Sequence, residues 1–212
     1  MNITCVYLSY PIVEIYLISN YDKFNTYDRK RKNYIIKNYM KSKILHYISV
    51  STIPLLPFLI FNIGNVTKCC HFLGFLYAAG DTVALTKNIN MSLSTKIHHT
   101  ITTFLGFLNT VIDYGNSHSI SKMLALYCIL SCYSYDVNYC LGMRFLVSGN
   151  EEIIIKKKAY FRYLICCCIN WSLHLVYLLN HINNMEIIII CYYSIISLVV
   201  YDDILLLKWL QN

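Results

Sequence analysis

Residues 74–87 read GFLYAAGDTVALTK, an apolar run in which one acidic residue, Asp81, stands near the middle. Apolar runs of this kind are typical of helices that cross a bilayer, which need about 20 mostly apolar residues. A charged side chain inside such a helix costs several kcal/mol on insertion scales, so a carboxylate there is a candidate functional group. The stretch therefore predicts a membrane-spanning helix and a polar site carried by it.

The composition of the whole chain supports a membrane protein. Of the 212 residues, 57% are hydrophobic and only 14% are charged, and the mean hydropathy is +0.46. A soluble globular domain carries about a quarter charged residues, so this chain has too few charges to cover a water-facing surface. Its length is sufficient for one domain. The composition predicts an integral membrane protein and argues against an ordinary soluble one.

Seven apolar segments are long enough to be spans, and together they predict an all-α, polytopic transmembrane bundle with six to seven spans. They are residues 3–19, 44–65, 69–86, 98–115, 123–147, 159–182 and 186–209. The first is short and contains Pro11 and Glu14, so whether it crosses the membrane stays open. The sequence thus divides into residues 1–43, with this weak span and a basic loop, and residues 44–212, which form the transmembrane domain.

The basic residues of the loops predict the orientation. Residues 21–43 hold eight lysines and arginines against two aspartates, and loops 87–97 and 148–158 are also basic. The alternate loops carry only Lys68 and Lys122. Because basic loops stay in the cytosol, the N-terminus is expected on the outer or lumenal side and the C-terminus in the cytosol. The position of the basic segment between two spans favours anionic lipid headgroups over nucleic acid as its partner.

Further polar residues fall inside the predicted spans, and each is a candidate site residue for the same reason as Asp81. They are His98, His99, Asp136, Arg144, His174, Asp202 and Asp203. At a rise of about 1.5 Å per residue, several of them fall in the cytosolic half of the bilayer. A polar cavity that opens to the cytosol and is lined by these groups is therefore expected.

Structural roles for the same residues stay open at this point. The pair His98–His99 begins a predicted span and is also compatible with an interfacial position. A single histidine on an apolar helix, such as His174, is typical of a hydrogen-bonded core residue. The pair Asp202–Asp203 has Lys208 or Arg144 as candidate ion-pair partners.

The sequence predicts no metal site. Neighbouring positions on a helix diverge by about 100 degrees, so His98 and His99 cannot easily hold one ion together. No HxxHH cluster and no paired CxxC zinc motif occurs. We interpret most of the ten cysteines as small apolar packing residues. These patterns predict no cofactor.

The order of the polar residues resembles the TLC-domain family, which includes ceramide synthases, translocation-associated membrane proteins and small TLC-domain lipid proteins. In that family a span with an acidic residue precedes a His-His pair, and an acidic ELST-like motif follows. Here Asp81 precedes His98 by 17 positions, and the pair lies in KIHHTITTFLGFL. The later segment is ILSCYSYDVNYCLGMRF, with Ile129 at the acidic position and Asp136 as an offset substitute. The resemblance covers about residues 44–209.

This resemblance implies a membrane protein that binds, senses or handles lipids through a cytosol-facing polar cavity. It implies membrane lipids as partners and the endoplasmic reticulum as location, and it leaves a homo-oligomer or a membrane-protein partner open. The alternative, implied by the ceramide synthases, is acyl transfer from acyl-CoA to a lipid amine or hydroxyl. In that reaction His98 and His99 act as general base, Asp81 orients the imidazole, and acyl-CoA is a co-substrate.

A third hypothesis arises from the intramembrane polar residues alone. Asp136, His174 and Asp202 are titratable groups on three different predicted spans. Such groups form proton relays in small carriers, so a proton-coupled carrier is a further alternative.

Overall fold

The computed structural model describes residues 3–61, 64–87, 91–114, 119–184 and 186–212, and every regular element within these ranges is a helix. The prediction of an all-α fold is confirmed. The helices, with two short 3₁₀ turns at Ile53–Leu55 and Ile182–Asn184, are α1 (Ile3–Asn20), α2 (Asp22–Asn25), α3 (Arg29–Thr52), α4 (Leu56–Phe61), α5 (Thr67–Lys87), α6 (Leu93–Asn109), α7 (Ser119–Cys132), α8 (Tyr135–Met143), α9 (Gly149–His181) and α10 (Ile187–Gln211).

Three of the described helices, α1, α9 and α10, are long and apolar enough to cross a bilayer, judged by length and composition. The chain is therefore a membrane-associated helical protein, but seven spans are not confirmed. Helices α1 and α10 agree with the predicted spans 3–19 and 186–209 to within two residues. Helix α5 nearly coincides with the predicted span 69–86 but is not among the three. The remaining predicted spans start or end elsewhere, and residues 62, 63 and 115 at two of their ends lie outside the described residues.

Two predicted spans are interrupted. Span 44–65 breaks at the 3₁₀ turn Ile53–Leu55, which contains Pro54, and Pro57 follows in α4. A proline has no backbone N–H to donate and clashes with the preceding turn, so it ends an α-helix. Span 123–147 breaks at a turn between α7 and α8, so these residues form two short helices instead of one long one.

The structure of the basic segment, residues 21–43, also differs from the prediction. Residues 21–43 were expected to be a loop, but α3 begins at Arg29 and continues without a break to Thr52. The Asp28 side chain accepts a hydrogen bond of 2.7 Å from the Arg31 backbone N–H and so caps the helix. The predicted division between residues 43 and 44 therefore falls inside a helix, and two lysines of the segment are buried.

The predicted basic loop 148–158 is helical as well. Ser148 caps α9 in a capping box with Glu151, in which each side chain bonds the other's backbone N–H. Hydrogen bonding to Ser148 lowers the pKa of the exposed Glu151 carboxyl. Lys156, Lys157 and Lys158 consequently lie within α9 and not in the predicted loop 148–158.

Close helix contacts hold the site region together. Helices α3 and α8 approach at Gly142, where a Cβ atom would lie 3.2 Å from the Ile35 carbonyl oxygen. Helices α5 and α6 approach at Gly106, where a Cβ atom would lie 2.3 Å from the Ala78 Cβ. Small residues let helix backbones pack this closely in membrane proteins. These contacts place α3, α5, α6 and α8 around one polar centre.

We predict that Gly106→Ala destabilises the protein, because the added methyl overlaps Ala78 and the backbones of α5 and α6 must move apart. Overpacking of this kind costs about 1–3 kcal/mol. The measurement is the thermal unfolding midpoint in detergent, followed by circular dichroism. Gly80→Ala is the matched control, since nothing lies within 4 Å of its added Cβ. That variant is expected to unfold at or above the wild-type midpoint, and equal losses in both variants would contradict the α5–α6 contact.

Candidate functional site

A carboxylate that is completely buried lies at the centre of the site. Asp81 on α5 is 0% exposed. Its Oδ1 lies 2.5 Å from the Nζ of Lys41 on α3 and 2.6 Å from the Nδ1 of His99 on α6. A buried charge is tolerated only when it is paired, and here two basic groups from two other helices share one carboxylate oxygen. The predicted importance of Asp81 therefore has a structural basis.

His99 connects this buried carboxylate to open space. Its Nδ1 lies 2.6 Å from the Asp81 Oδ1, in a contact that does not have hydrogen-bond geometry. Its Nε2 is buried and has no hydrogen-bond partner in the described part of the chain. Capped by Ser92, α6 begins at Leu93, so the histidines lie in its second turn and not at its start. A carboxylate at one imidazole nitrogen leaves the other available to a ligand.

His98 has a different neighbour. The two histidine rings are 5.8 Å apart and nearly perpendicular, at 84°. The Nδ1 of His98 lies 3.1 Å from the Oδ2 of Asp202 on α10. The next carboxylate, Asp203, accepts hydrogen bonds from the hydroxyls of Tyr127 and Tyr163, at 2.7 and 2.6 Å. These partners replace the pairing with Lys208 or Arg144 that the sequence left open.

A cavity of about 440 Å³ lies among these groups. Most of its charged and polar lining comes from α3, α6, α8, α9 and α10, and five predicted site residues belong to it, namely His98, His99, Arg144, Asp202 and Asp203. Asp81 lies directly behind His99 and Lys41. The expected convergence of histidines and aspartates from separate helices is therefore present. The side of the membrane that the cavity faces stays a prediction.

Two predicted site residues have other positions. Asp136, in the first turn of α8, contacts Arg162 at 2.8 Å and Lys158 at 3.6 Å. His174 lies with Nδ1 2.9 Å from the Asn170 carbonyl oxygen and Nε2 2.9 Å from the Tyr192 hydroxyl. Neither residue lines the cavity. The structure does not bring them together with Asp202, so the proton relay of the carrier hypothesis is not assembled, and His174 is a hydrogen-bonded core residue.

Sequence reasoning missed two lysines of the site. Lys37 and Lys41 on α3 line the cavity, although their segment was interpreted as a solvated loop. Burial and the neighbouring Lys41 lower the pKa of Lys37 to about 8, against an opposing effect of Asp81. A signal was present in the sequence, because Ile36 and Met40 continue a helical apolar pattern upstream of the predicted span.

An apolar cleft of about 60 Å³ adjoins the polar cavity. Its walls are mainly aliphatic and aromatic side chains of α5, α6, α7 and α10. Three residues, Tyr77, His98 and Tyr127, line both spaces. The cleft and the cavity are therefore neighbours, with these three side chains between or beside them.

Within the described ranges, no three histidine, cysteine, aspartate or glutamate side chains come close enough together to hold an ion. The nearly perpendicular rings of His98 and His99, which face different carboxylates, explain why the vicinal pair does not form such a group.

Comparison of the chain with protein-family models, with curated proteins and with solved structures gave no match in any of the three. The TLC resemblance thus continues to rest on Asp81, the histidine pair and their spacing alone.

We predict that Asp81→Asn strongly destabilises the protein, because it leaves Lys41 buried without its counter-charge. Breaking a buried pair by removing one partner costs about 3–5 kcal/mol. The measurement is the free energy of unfolding in detergent or mixed micelles.

The double variant Asp81→Asn/Lys41→Met is expected to recover part of this loss, since the unpaired ammonium is then gone. Glu14→Gln is the control, because it removes a partly exposed ion pair with Arg29 and should cost only about 0–1 kcal/mol. If the two losses are equal, or if the double variant is less stable than Asp81→Asn, the Lys41–Asp81 pair does not have this role.

Proposed function

We propose that this membrane protein binds a lipid, with the polar headgroup in the polar cavity and an apolar chain in the adjoining cleft. One observation carries the proposal: the cavity and the cleft share the walls formed by Tyr77, His98 and Tyr127. A molecule that occupies both must be polar at one end and apolar at the other. Membrane lipids have this chemistry, and the aliphatic and aromatic walls of the cleft offer van der Waals contacts to an apolar chain.

Unsatisfied polar atoms support a ligand in the cavity. The Nε2 of His99 and the Oδ1 of Asn170 are buried without hydrogen-bond partners among the described residues, and both residues line the cavity. Buried polar atoms in native proteins are nearly always hydrogen-bonded, to protein, water or ligand. A headgroup with hydroxyl, amide or phosphate groups supplies the partners that the protein itself does not.

The TLC resemblance extends the proposal to a location and an orientation. We place the protein in the endoplasmic reticulum by analogy with that family, with the C-terminus in the cytosol because of the basic segments. The polar cavity then opens towards the cytosolic leaflet.

Lipid retention is the direct test. We expect native mass spectrometry of the detergent-solubilised protein to show a co-purified lipid, and Leu105→Trp to reduce its occupancy severalfold, because the larger side chain fills the cleft that Leu105 lines. Leu108→Trp is the matched control, since Leu108 is an exposed residue of the same helix outside the cleft. A wild-type protein that carries and rebinds no lipid would overturn the proposal.

A second function, acyl transfer, is favoured by the geometry of His99. His99 lines the cavity, its Nδ1 faces the Asp81 carboxylate, and its Nε2 has no hydrogen-bond partner among the described residues. An imidazole placed in this way suits the role of a general base. With acyl-CoA as co-substrate, Nε2 takes the proton of a lipid amine or hydroxyl, whose nitrogen or oxygen attacks the thioester carbonyl. The C–S bond then breaks, and the CoA thiolate leaves and recovers the proton from the imidazolium. His98, which faces Asp202, is not the base in this scheme.

For this second function we predict that purified protein converts acyl-CoA and a lipid amine or hydroxyl to the acylated lipid and free CoA. His99→Gln should lower the rate by at least about 100-fold, the range typical of removing a general base. The product lipid is quantified by mass spectrometry. His46→Gln, a change at an exposed histidine of α3, should leave the rate unchanged. If the wild-type protein forms no product from any acceptor lipid, acyl transfer is wrong and lipid binding is unaffected.

A further inference from the structure

The charges around the polar cavity are not all paired. Lys41 contacts Asp81, and His98 contacts Asp202. Two cations that line the cavity, Lys37 and Arg144, have no carboxylate within ion-pair distance in the described part of the chain. The described part of the protein thus provides two positive groups in the cavity lining without providing their counter-ion.

Lys37 is the more unusual of the two. The residue is 8% exposed, and its Nζ lies 5.3 Å from the centroid of the Tyr34 ring. Asp81 acts on it from beyond ion-pair distance and is already engaged by Lys41. An ammonium group that is buried without a counter-charge is unfavourable, and an anion bound beside it would stabilise its charged form. The face of α3 that carries it is fixed by the buried residues Ile36 and Met40.

Arg144 follows the last turn of α8 and is held by aromatic rings. Its guanidinium carbon lies 4.6 Å from the centroid of Phe145 and 4.4 Å from that of Trp209. Stacking on rings orients the planar group and leaves its N–H donors available. The close approach of α8 to α3 at Gly142 brings the end of α8 towards the helix that carries Lys37.

We propose that Lys37 and Arg144 form a phosphate subsite, which binds the phosphate ester of the bound lipid's headgroup. This inference rests on the proposed lipid-binding function and names the class of headgroup. An arginine fork combined with a lysine point charge suits phosphate, which offers several charged acceptor oxygens at once. The rest of the lining includes neutral polar groups such as Asn38, Ser131 and Ser134. It also includes two carboxylates, Asp202 and Asp203, which are already engaged by His98 and by two tyrosine hydroxyls. A soluble phosphate ester has the same chemistry, so the test separates the two sources.

The experiment uses three probes on the full-length protein, stripped of lipid in an uncharged detergent and titrated under native mass spectrometry. Phosphatidic acid and diacylglycerol with identical chains differ only in the phosphate, and glycerol 3-phosphate has the phosphate without chains. We expect phosphatidic acid to bind at least about tenfold more tightly than diacylglycerol, the contribution of one charge-assisted hydrogen bond. Lys37→Met and Arg144→Gln should each remove most of this preference.

The matched control is the double variant Lys30→Met/Lys43→Met, which removes two exposed charges from the same helix. It should keep the preference, and an equal loss there would overturn the subsite in favour of general electrostatic attraction. If glycerol 3-phosphate binds as tightly as phosphatidic acid with the same dependence on Lys37 and Arg144, the subsite stands and its phosphate is soluble.

Equal binding of phosphatidic acid and diacylglycerol by the wild-type protein overturns the phosphate subsite and leaves lipid binding intact. Binding of neither lipid overturns the proposed function as well. The wild-type comparison decides between these outcomes even if a variant fails to fold.

Discussion

The pairing of Asp81 with Lys41 and His99 is the constraint on which the site depends. A carboxylate that is 0% exposed cannot remain charged in an apolar interior without partners, and its two partners come from helices before and after it in the chain. This pairing sets the position of α3 and α6 relative to α5, because a shift of one residue along either helix would remove a contact. Small residues at the α5–α6 contact make the required close approach sterically feasible.

The other polar contacts follow from that arrangement. Once His99 faces Asp81, the preceding residue on the helix is rotated by about 100 degrees and faces α10. His98 therefore contacts Asp202, and Asp203 is rotated in turn towards the tyrosines of α7 and α9. Two vicinal pairs, one of histidines and one of aspartates, thus each connect to two different neighbours. The result is one polar layer beside the cavity that joins six helices, α3, α5, α6, α7, α9 and α10.

The sequence predicted the members of this layer that are isolated in apolar surroundings, and it missed those that are not. Asp81, the histidine pair and Asp202–Asp203 stand out because a charge in an apolar run is unusual wherever its partner lies. Lys37 and Lys41 were misinterpreted because they stand among other charges, and the carboxylate that pairs with Lys41 is forty residues away. The same rule wrongly assigned His174 to the cavity, since no local sequence pattern reveals that the Tyr192 hydroxyl and a backbone carbonyl are its hydrogen-bond partners.

Only one of the two breaks in the predicted spans could be recognised from the sequence. Pro54 marks the first break, whereas the turn between α7 and α8 contains no proline or glycine.

The two proposed functions, lipid binding and acyl transfer, require the same geometry, and acyl transfer requires one further condition. Both need an amphipathic molecule whose polar and apolar parts meet where the cavity joins the cleft, at Tyr77, His98 and Tyr127. Binding requires nothing more, because the unpaired cations and the unsatisfied atoms of the cavity already favour a polar headgroup. Catalysis adds one condition, that an acceptor hydroxyl or amine lie within about 3 Å of the His99 Nε2 while the acyl carbonyl is within reach. The buried position of Asp81 satisfies the part of that condition that belongs to the protein, since it fixes the imidazole before any ligand arrives. The remaining part belongs to the ligand, so under the two proposals the identity of the headgroup would decide between binding alone and catalysis.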